Sequence, residues 1–300
     1  MTSIIIPTLN AERLMPGLLK ALKSQTSACE IVVVDSSSSD DTVRIAESHG
    51  VKVLSIKRHE FDHGGTRNLG VNASSGDILI FLTQDALPVD EYMVENLIRP
   101  LQDPGIALSY GRQIAEDDST PLERFARTFN YPEKPIIKGK EDIPLYGIKT
   151  FFCSNVCSSV RRKDFREIGG FPENIIMNED MILAAKFILK GCRVAYEPSA
   201  AVYHSHNYSI IEQFRRYFDI GVSLGRNRWI LESAKMEGEG IRYLKEQTTY
   251  LLRSGKLCWI PYSYIEGLAK YSALRLGFLE GGLPFSLKIR LSMHRHFWKA

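Results

Sequence analysis

Residues 30–50, EIVVVDSSSSDDTVRIAESHG, decide how the rest of this chain is read. An apolar, β-branched run from Ile31 to Val34 ends at Asp35, and four serines follow it. Asp40 and Asp41 then stand where a helix N-cap belongs, and the helical pattern stops at Gly50. Short β-branched runs bounded by polar residues read as strands, and acids before a periodic segment with glycine after it read as a capped helix.

The same unit recurs on either side. SIIIP (3–7), VKVLSI (51–56) and DILIFL (77–82) are strand-like, while ERLMPGLLKALKSQ (12–25) and GTRNLGVNAS (65–74) are helix-like. Repeated β-α-β-α order predicts an α/β fold: a mostly parallel sheet with right-handed crossovers and helices on both faces. Such sheets bind ligands at the carboxyl ends of their strands, here Pro7-Thr8, Asp35, the 57–68 loop and Gln84-Asp85. Beyond about residue 115 the pattern weakens. TFFCSNVCSSV (150–160) reads as a strand, DFREIG (164–169) as a helix, and MILAAKFILKG (181–191) as a longer apolar helix.

With 300 residues, 44% of them hydrophobic and 24% charged, the chain is expected to fold throughout. Five cysteines without a CxxC pair suit free thiols in a reducing compartment. No basic-then-apolar leader and no 18-residue apolar run is present, so a cytoplasmic location without a membrane span is expected. The net charge of +3 is unevenly spread: residues 241–300 hold ten Lys or Arg against three Asp or Glu. That basic tail interleaves Trp259, Tyr262, Tyr264, Tyr271, Phe278, Phe285, Phe297 and Trp298. It reads either as helices packed on the body with solvated basic faces or as a surface for an anionic membrane; nucleic acid is not an expected partner.

Several positions could carry chemistry. GTRNLG (65–70) is followed by Val71-Asn72 where a phosphate-binding loop needs Lys-Ser/Thr, and no G-x-G-x-x-G follows a strand. Asp35 could accept from a pyrimidine ring N–H or simply cap a turn, and Arg67 offers a planar fork to phosphate oxygens. Asp85, at a strand end, could hold Mg²⁺ or Mn²⁺, with His204 or His206 completing the shell. Asp180, in NED at a helix start, is expected to stay ionised and to accept a proton, although ordinary acidic capping explains the same residues.

Taken in order, IIIPTLNAE, IVVVDSSSSDDT, HGGTRNLG, GDILIFLTQDA, RRKDFREIGGFPE, NED and YHSHNYS resemble the family 2 inverting glycosyltransferases over about residues 3–210. The resemblance implies a GT-A (Rossmann-like) fold. Pro7, Thr8, Glu12 and Asp35 would surround the nucleotide, with Arg67 nearby, Asp85 as metal-binding acid and Asp180 as base. The family often carries Asp-x-Asp at the metal; this chain has Thr83-Gln84-Asp85. FDHGGTRN together with YHSHNYSIIEQFRRYFDIG is similar to bacterial rhamnosyltransferases of O-antigen and capsule assembly. That likeness implies dTDP-L-rhamnose as the nucleotide-sugar donor and a glycan or polyprenyl-linked acceptor. Rival readings are a UDP-hexose donor, a sugar-phosphate nucleotidyltransferase suggested by GGTR (64–67), and a non-catalytic sugar- or lipid-binding module. The expected organisation is a catalytic domain over 1–210, with a nucleotide half to about 112 and an acceptor half from 113. A helical, basic-aromatic extension over 211–300 would follow, touching the inner membrane face through 241–300.

Overall fold

The computed structural model describes residues 1–235 and 238–299. The opening reading holds closely: β1 (Thr2–Thr8), β2 (Cys29–Asp35), β3 (Lys52–Ser55) and β4 (Ile78–Leu82) alternate with α1 (Met15–Lys23), α2 (Thr42–Ser48) and α3 (His63–Ala73). These four strands are parallel, in the order β3-β2-β1-β4. The chain first builds outward from β1 to β3 and then returns to its other side with β4. That reversal opens a crevice at the carboxyl ends of β1 and β4.

Five more strands complete a nine-stranded sheet: β5 (Leu87–Pro88), β6 (Ile106–Ile114), β7 (Ile136–Lys138), β8 (Cys157–Arg161) and β9 (Arg193–Tyr203). β8 runs antiparallel between β4 and β6, β9 lies parallel to β6, and β5 and β7 pair antiparallel with β9. Alternate side chains feed two cores, one on each face. Ile4, Ile6, Ile80 and Leu82 pack with Leu18, Leu19 and Leu22 of α1. Ile5, Leu79 and Phe81 point the other way, toward Phe165 and Phe171. Central strands buried on both faces need such unbroken apolar runs.

The expected strand over 150–160 is shorter than its composition suggests. Residues 147–151 form a 3₁₀ turn with Phe151 fully buried, and pairing begins only at Cys157, where Leu82 of β4 offers a partner.

The remaining helices are α4 (Met93–Ile98), α5 (Pro121–Asn130), α6 (Ile143–Tyr146), α7 (Arg162–Glu167) and α8 (Glu179–Leu189) before β9. After it come α9 (Ile210–Arg226), α10 (Arg228–Ser233), α11 (Glu239–Arg253), α12 (Trp259–Phe278) and α13 (Phe285–Leu291). α9 and α12 cross closely enough that Gly221 and Gly277 face each other. A methyl at Gly277 would lie against the Phe218 carbonyl and 2.8 Å from the Gly221 Cα. α12 is apolar on two opposite sides. Its inner side packs on α9 through Ala273 and Gly277, while Leu257 just before it and Ile265, Leu268, Tyr271 and Leu279 stay more than half exposed on the outer side. Among the described residues no helix is long and apolar enough to cross a membrane.

Candidate active site

The β5–β9 pairing brings the first group together. Leu87 stands opposite Tyr203 in an antiparallel ladder, so the chain just before β5 and the chain just after β9 run side by side. Asp85 therefore meets His204 and His206, across more than a hundred residues of sequence. The Asp85 Oδ1 lies 3.5 Å from His204 Nε2, and Oδ2 lies 3.3 Å from His206 Nε2. One ligand atom from each of the three falls within 4.8 Å of the others, a spacing at which a single cation can bridge them.

The electrostatics suit that role. Burial pushes the Asp85 carboxyl up, but the neighbouring His204, Thr83 and His206 side chains outweigh it and hold the group well below the usual carboxylate range. Burial, then His204, lowers His206 to about 4, leaving it neutral with a free lone pair near neutral pH. His204 is oriented from behind. Its Nδ1 lies 3.0 Å from the Gln113 Oε1, which also receives Arg127 Nη1–H, while the Gln113 amide donates to Tyr131 Oη at 2.6 Å and Ser154 Oγ at 2.9 Å. Arginine only donates, so the Gln113 atom facing it is the oxygen. His204 Nδ1 must then carry hydrogen, and its Nε2 is presented toward Asp85. Sequence reading missed Gln113 and Arg127.

The second group sits at the start of α8. Asn178, in the left-handed region at φ 67°, turns the chain so that Glu179 and Asp180 open the helix. Asn155 pins both acids: its N–H donates to Asp180 Oδ2 at 3.2 Å, and its amide donates to Glu179 Oε1 at 3.1 Å. Asp180 is crowded by protein yet keeps an edge on the cavity. Burial and then the charge of Glu179 push its pKa up to about 7, against hydrogen bonds from the Asn155 and Met181 amides and attraction from Arg67. The helix N-terminus alone does not keep it fully ionised at neutral pH, as the sequence had suggested.

Arg67 on α3 lies in the same wall, buried, with Nη1 3.2 Å from Glu179 and donating to the His63 carbonyl. Among the described residues its Nε has no hydrogen-bond partner. One cavity of about 810 Å³ is lined by Pro7, Thr8, Arg67, Asp85, Asp180 and both histidines. The C-terminal segment returns to close it: His294 and His296 line the wall beside His63, and Asp219 of α9 accepts from the Met293 and His294 amides at 2.9 and 3.0 Å.

Two expected residues stand apart. Asp35 is 1% exposed, and its oxygens accept from Thr8 Oγ1 at 3.1 Å and from Ser38 N–H at 2.9 Å, closing the serine turn. Glu12 is exposed and accepts from the Asp41 amide at 3.2 Å, bridging the loops after β1 and β2. Neither lines the cavity, whereas Ser36, its buried Oγ without a partner among the described residues, does.

This arrangement has relatives. The chain is 42% identical over 300 residues to the O-antigen chain rhamnosyltransferase RfbN of Salmonella typhimurium, covering 99% of this chain and 95% of that protein. It is 38% identical over 300 residues to the O-antigen chain rhamnosyltransferase WbaN of Salmonella anatum, with the same coverage. Among solved structures, the mannosyltransferase PcManGT from Pyrobaculum calidifontis, in complex with GDP-Man and Mn²⁺, is similar in fold at a TM-score of 0.62 and 17% identity. That match covers 94% of this chain and 88% of that one. S. aureus TarS in complex with UDP-GlcNAc matches at a TM-score of 0.55 and 17% identity, over 94% of this chain and 91% of that one. Residues 3–169, the strands and crossovers that build the crevice, match the family described as Glycosyl transferase family 2. More than half of the chain falls within that match, and the chain belongs to this family: it is a glycosyltransferase with the GT-A fold.

Proposed function

We propose that the chain transfers L-rhamnose from dTDP-L-rhamnose to a hydroxyl of a polyprenyl-linked glycan in O-antigen synthesis. One observation carries the reading: a half-buried carboxylate, Asp180, and the Asp85–His204–His206 cluster line one cavity in a chain that aligns over 99% of its length with two O-antigen rhamnosyltransferases. The proposed division of labour follows the sheet, with residues to about 112 taking the nucleotide, 113–210 the acceptor, and 211–300 forming a helical extension. Pro7, Thr8 and Ser36 would lie against base and ribose, Asp35 and Glu12 holding the surrounding loops, and Arg67 would face the donor with its Nε.

In the reaction, Asp180 takes the acceptor proton as the acceptor oxygen bonds to the anomeric carbon. The bond from that carbon to the diphosphate breaks, nucleoside diphosphate leaves, and configuration inverts. Asp85, His204 and His206 would hold a divalent cation, which supplies positive charge to the departing diphosphate. A set of two imidazoles and one carboxylate suits Mn²⁺ better than Mg²⁺, which favours oxygen ligands.

The outer face of α12 supports contact with a membrane. An exposed apolar stripe on a helix otherwise packed into the protein calls for a partner, and Lys256, Arg253 and Arg275 beside it favour anionic lipid. We place the enzyme peripherally on the inner face of the cell membrane.

A donor panel assayed for nucleoside diphosphate release tests the reading. Fastest release from dTDP-L-rhamnose in the presence of a lipid-linked acceptor is expected; faster release from a UDP-hexose would overturn the donor assignment.

A further inference from the structure

A second cavity, of about 430 Å³, opens beside the reaction cavity on the side away from β1 and β2. Its size lies within the roughly 300–1,000 Å³ of small-ligand sites. The two share His206, Tyr208, Glu123, Tyr243 and Lys270 in their walls, so a ligand in one can extend into the other. The nucleotide-side residues Pro7, Thr8 and Ser36 line only the larger one.

The lining combines aromatic faces with buried charge. Trp259 and Tyr262, on the inner side of α12, stand edge to face with ring centroids 5.5 Å apart. One turn on, Glu266 is 5% exposed, and among the described residues its one ion-pair partner is Lys270, at 3.2 Å. Opposite, Tyr208 stacks on His206 at 4.9 Å, and Glu123 accepts the His206 amide at 3.1 Å while pairing with Arg127 at 2.6 Å. Glu123 thus lies between the groove and the arginine that orients Gln113.

A pyranose offers one face of C–H bonds and an edge of hydroxyls. Aromatic rings cover the first, and carboxylates accept from the second with the strength of charge-assisted hydrogen bonds. A dry apolar ligand would take the Glu266–Lys270 pair out of water without offering it hydrogen bonds, and an anionic one would meet Glu123, Glu212 and Glu266 in the same groove.

The geometry points to this groove as the acceptor-glycan subsite: it binds neutral sugar residues of the acceptor, stacked on Trp259 and Tyr262, and delivers the accepting hydroxyl past Tyr208 to Asp180. The last step rests on the reading of Asp180 as base; the binding itself does not.

The test is saturation-transfer NMR on the full chain, with methyl glycosides of rhamnose, mannose and galactose and their disaccharides as probes. Titrations are run in Mn²⁺ with dTDP and again with UDP, so a wrong donor assignment shows in the nucleotide arm and leaves the sugar arm readable. At least one disaccharide should bind saturably. Trp259→Ala should weaken it by about tenfold while Trp259→Phe largely restores it, the increment expected for an aromatic face. Glu266→Gln, which keeps the packing, should also weaken it and leave dTDP affinity unchanged. Absence of saturable binding, or equal binding by wild type, Trp259→Ala and Glu266→Gln, would overturn the assignment. Asp180→Asn should bind the sugar as wild type does, so a failure of the catalytic reading leaves the groove result standing.

Discussion

With Asp180 as the proposed base, its environment sets how transfer should depend on pH. A one-proton ionisation at about 7 leaves roughly a tenth of the groups ionised at pH 6 and roughly nine tenths at pH 8. The rate at saturating donor and acceptor should therefore rise about tenfold across that interval and then level. His206 titrates at about 4 and Asp85 lower still, so their own ionisations lie below this limb. Glu179→Gln discriminates further. It removes a negative neighbour and frees Arg67, and both changes favour the ionised form of Asp180, so the limb should move to lower pH. A stability effect accompanies it. The folded pKa of Asp180 is raised, so its contribution to stability is complete below about 4 and is lost as pH rises through about 7. Asp180→Asn should then lose less stability than wild type as pH rises from about 5 to 8, with transfer falling at least about 10²-fold. The assay is nucleoside diphosphate release over pH 5–9, paired with urea unfolding. A limb that stays in place in Glu179→Gln, or moves to higher pH, would refute this account of the base.

Other consequences can be checked directly. Gln113→Leu removes the acceptor that fixes the His204 ring, and titration calorimetry should find Mn²⁺ bound about 10–100-fold more weakly. Gly277→Ala should cost about 1–3 kcal/mol in urea unfolding, because α9 and α12 must move apart to admit the methyl. Charge reversal at Arg253, Lys256 and Arg275 should reduce co-sedimentation with anionic vesicles and leave solubility unchanged, each basic residue near the surface contributing about 1 kcal/mol. Equal sedimentation of wild type with neutral and anionic vesicles would remove the electrostatic part of that contact.

What could be read in advance follows a physical division. The first four strands and three helices are local patterns, each set by its own apolar period and caps, and they fall where expected. Asp85 and the two histidines were legible because all three follow strand-like runs; only the short β5–β9 ladder, which no local pattern announces, makes them neighbours. Gln113 was not legible: a polar residue near the end of an apolar strand has no mark of its own until Arg127 and His204 converge on it. His63 and His294 were hidden for the same reason, since the Asp219 link to the C-terminal segment sets them together. Asp35 shows the converse. Its position was anticipated, but its oxygens serve Thr8 and the serine turn, as a capping residue's would. The 150–160 run misled because apolar content marks burial, whereas a strand also needs a neighbour to bond, and β4 and β6 supply one only from Cys157 onward.

The two apolar sides of α12 have a geometric consequence. A helix is about 10–12 Å across with its side chains. If the stripe of Ile265, Leu268, Tyr271 and Leu279 rests on lipid, Trp259 and Tyr262 on the opposite side are held one helix diameter above it. The helix then acts as a gauge of height: a hydroxyl is presented for reaction when its sugar stands that far from the bilayer, so acceptors are sorted by how many residues separate the growing end from its lipid as well as by the identity of the terminal sugar.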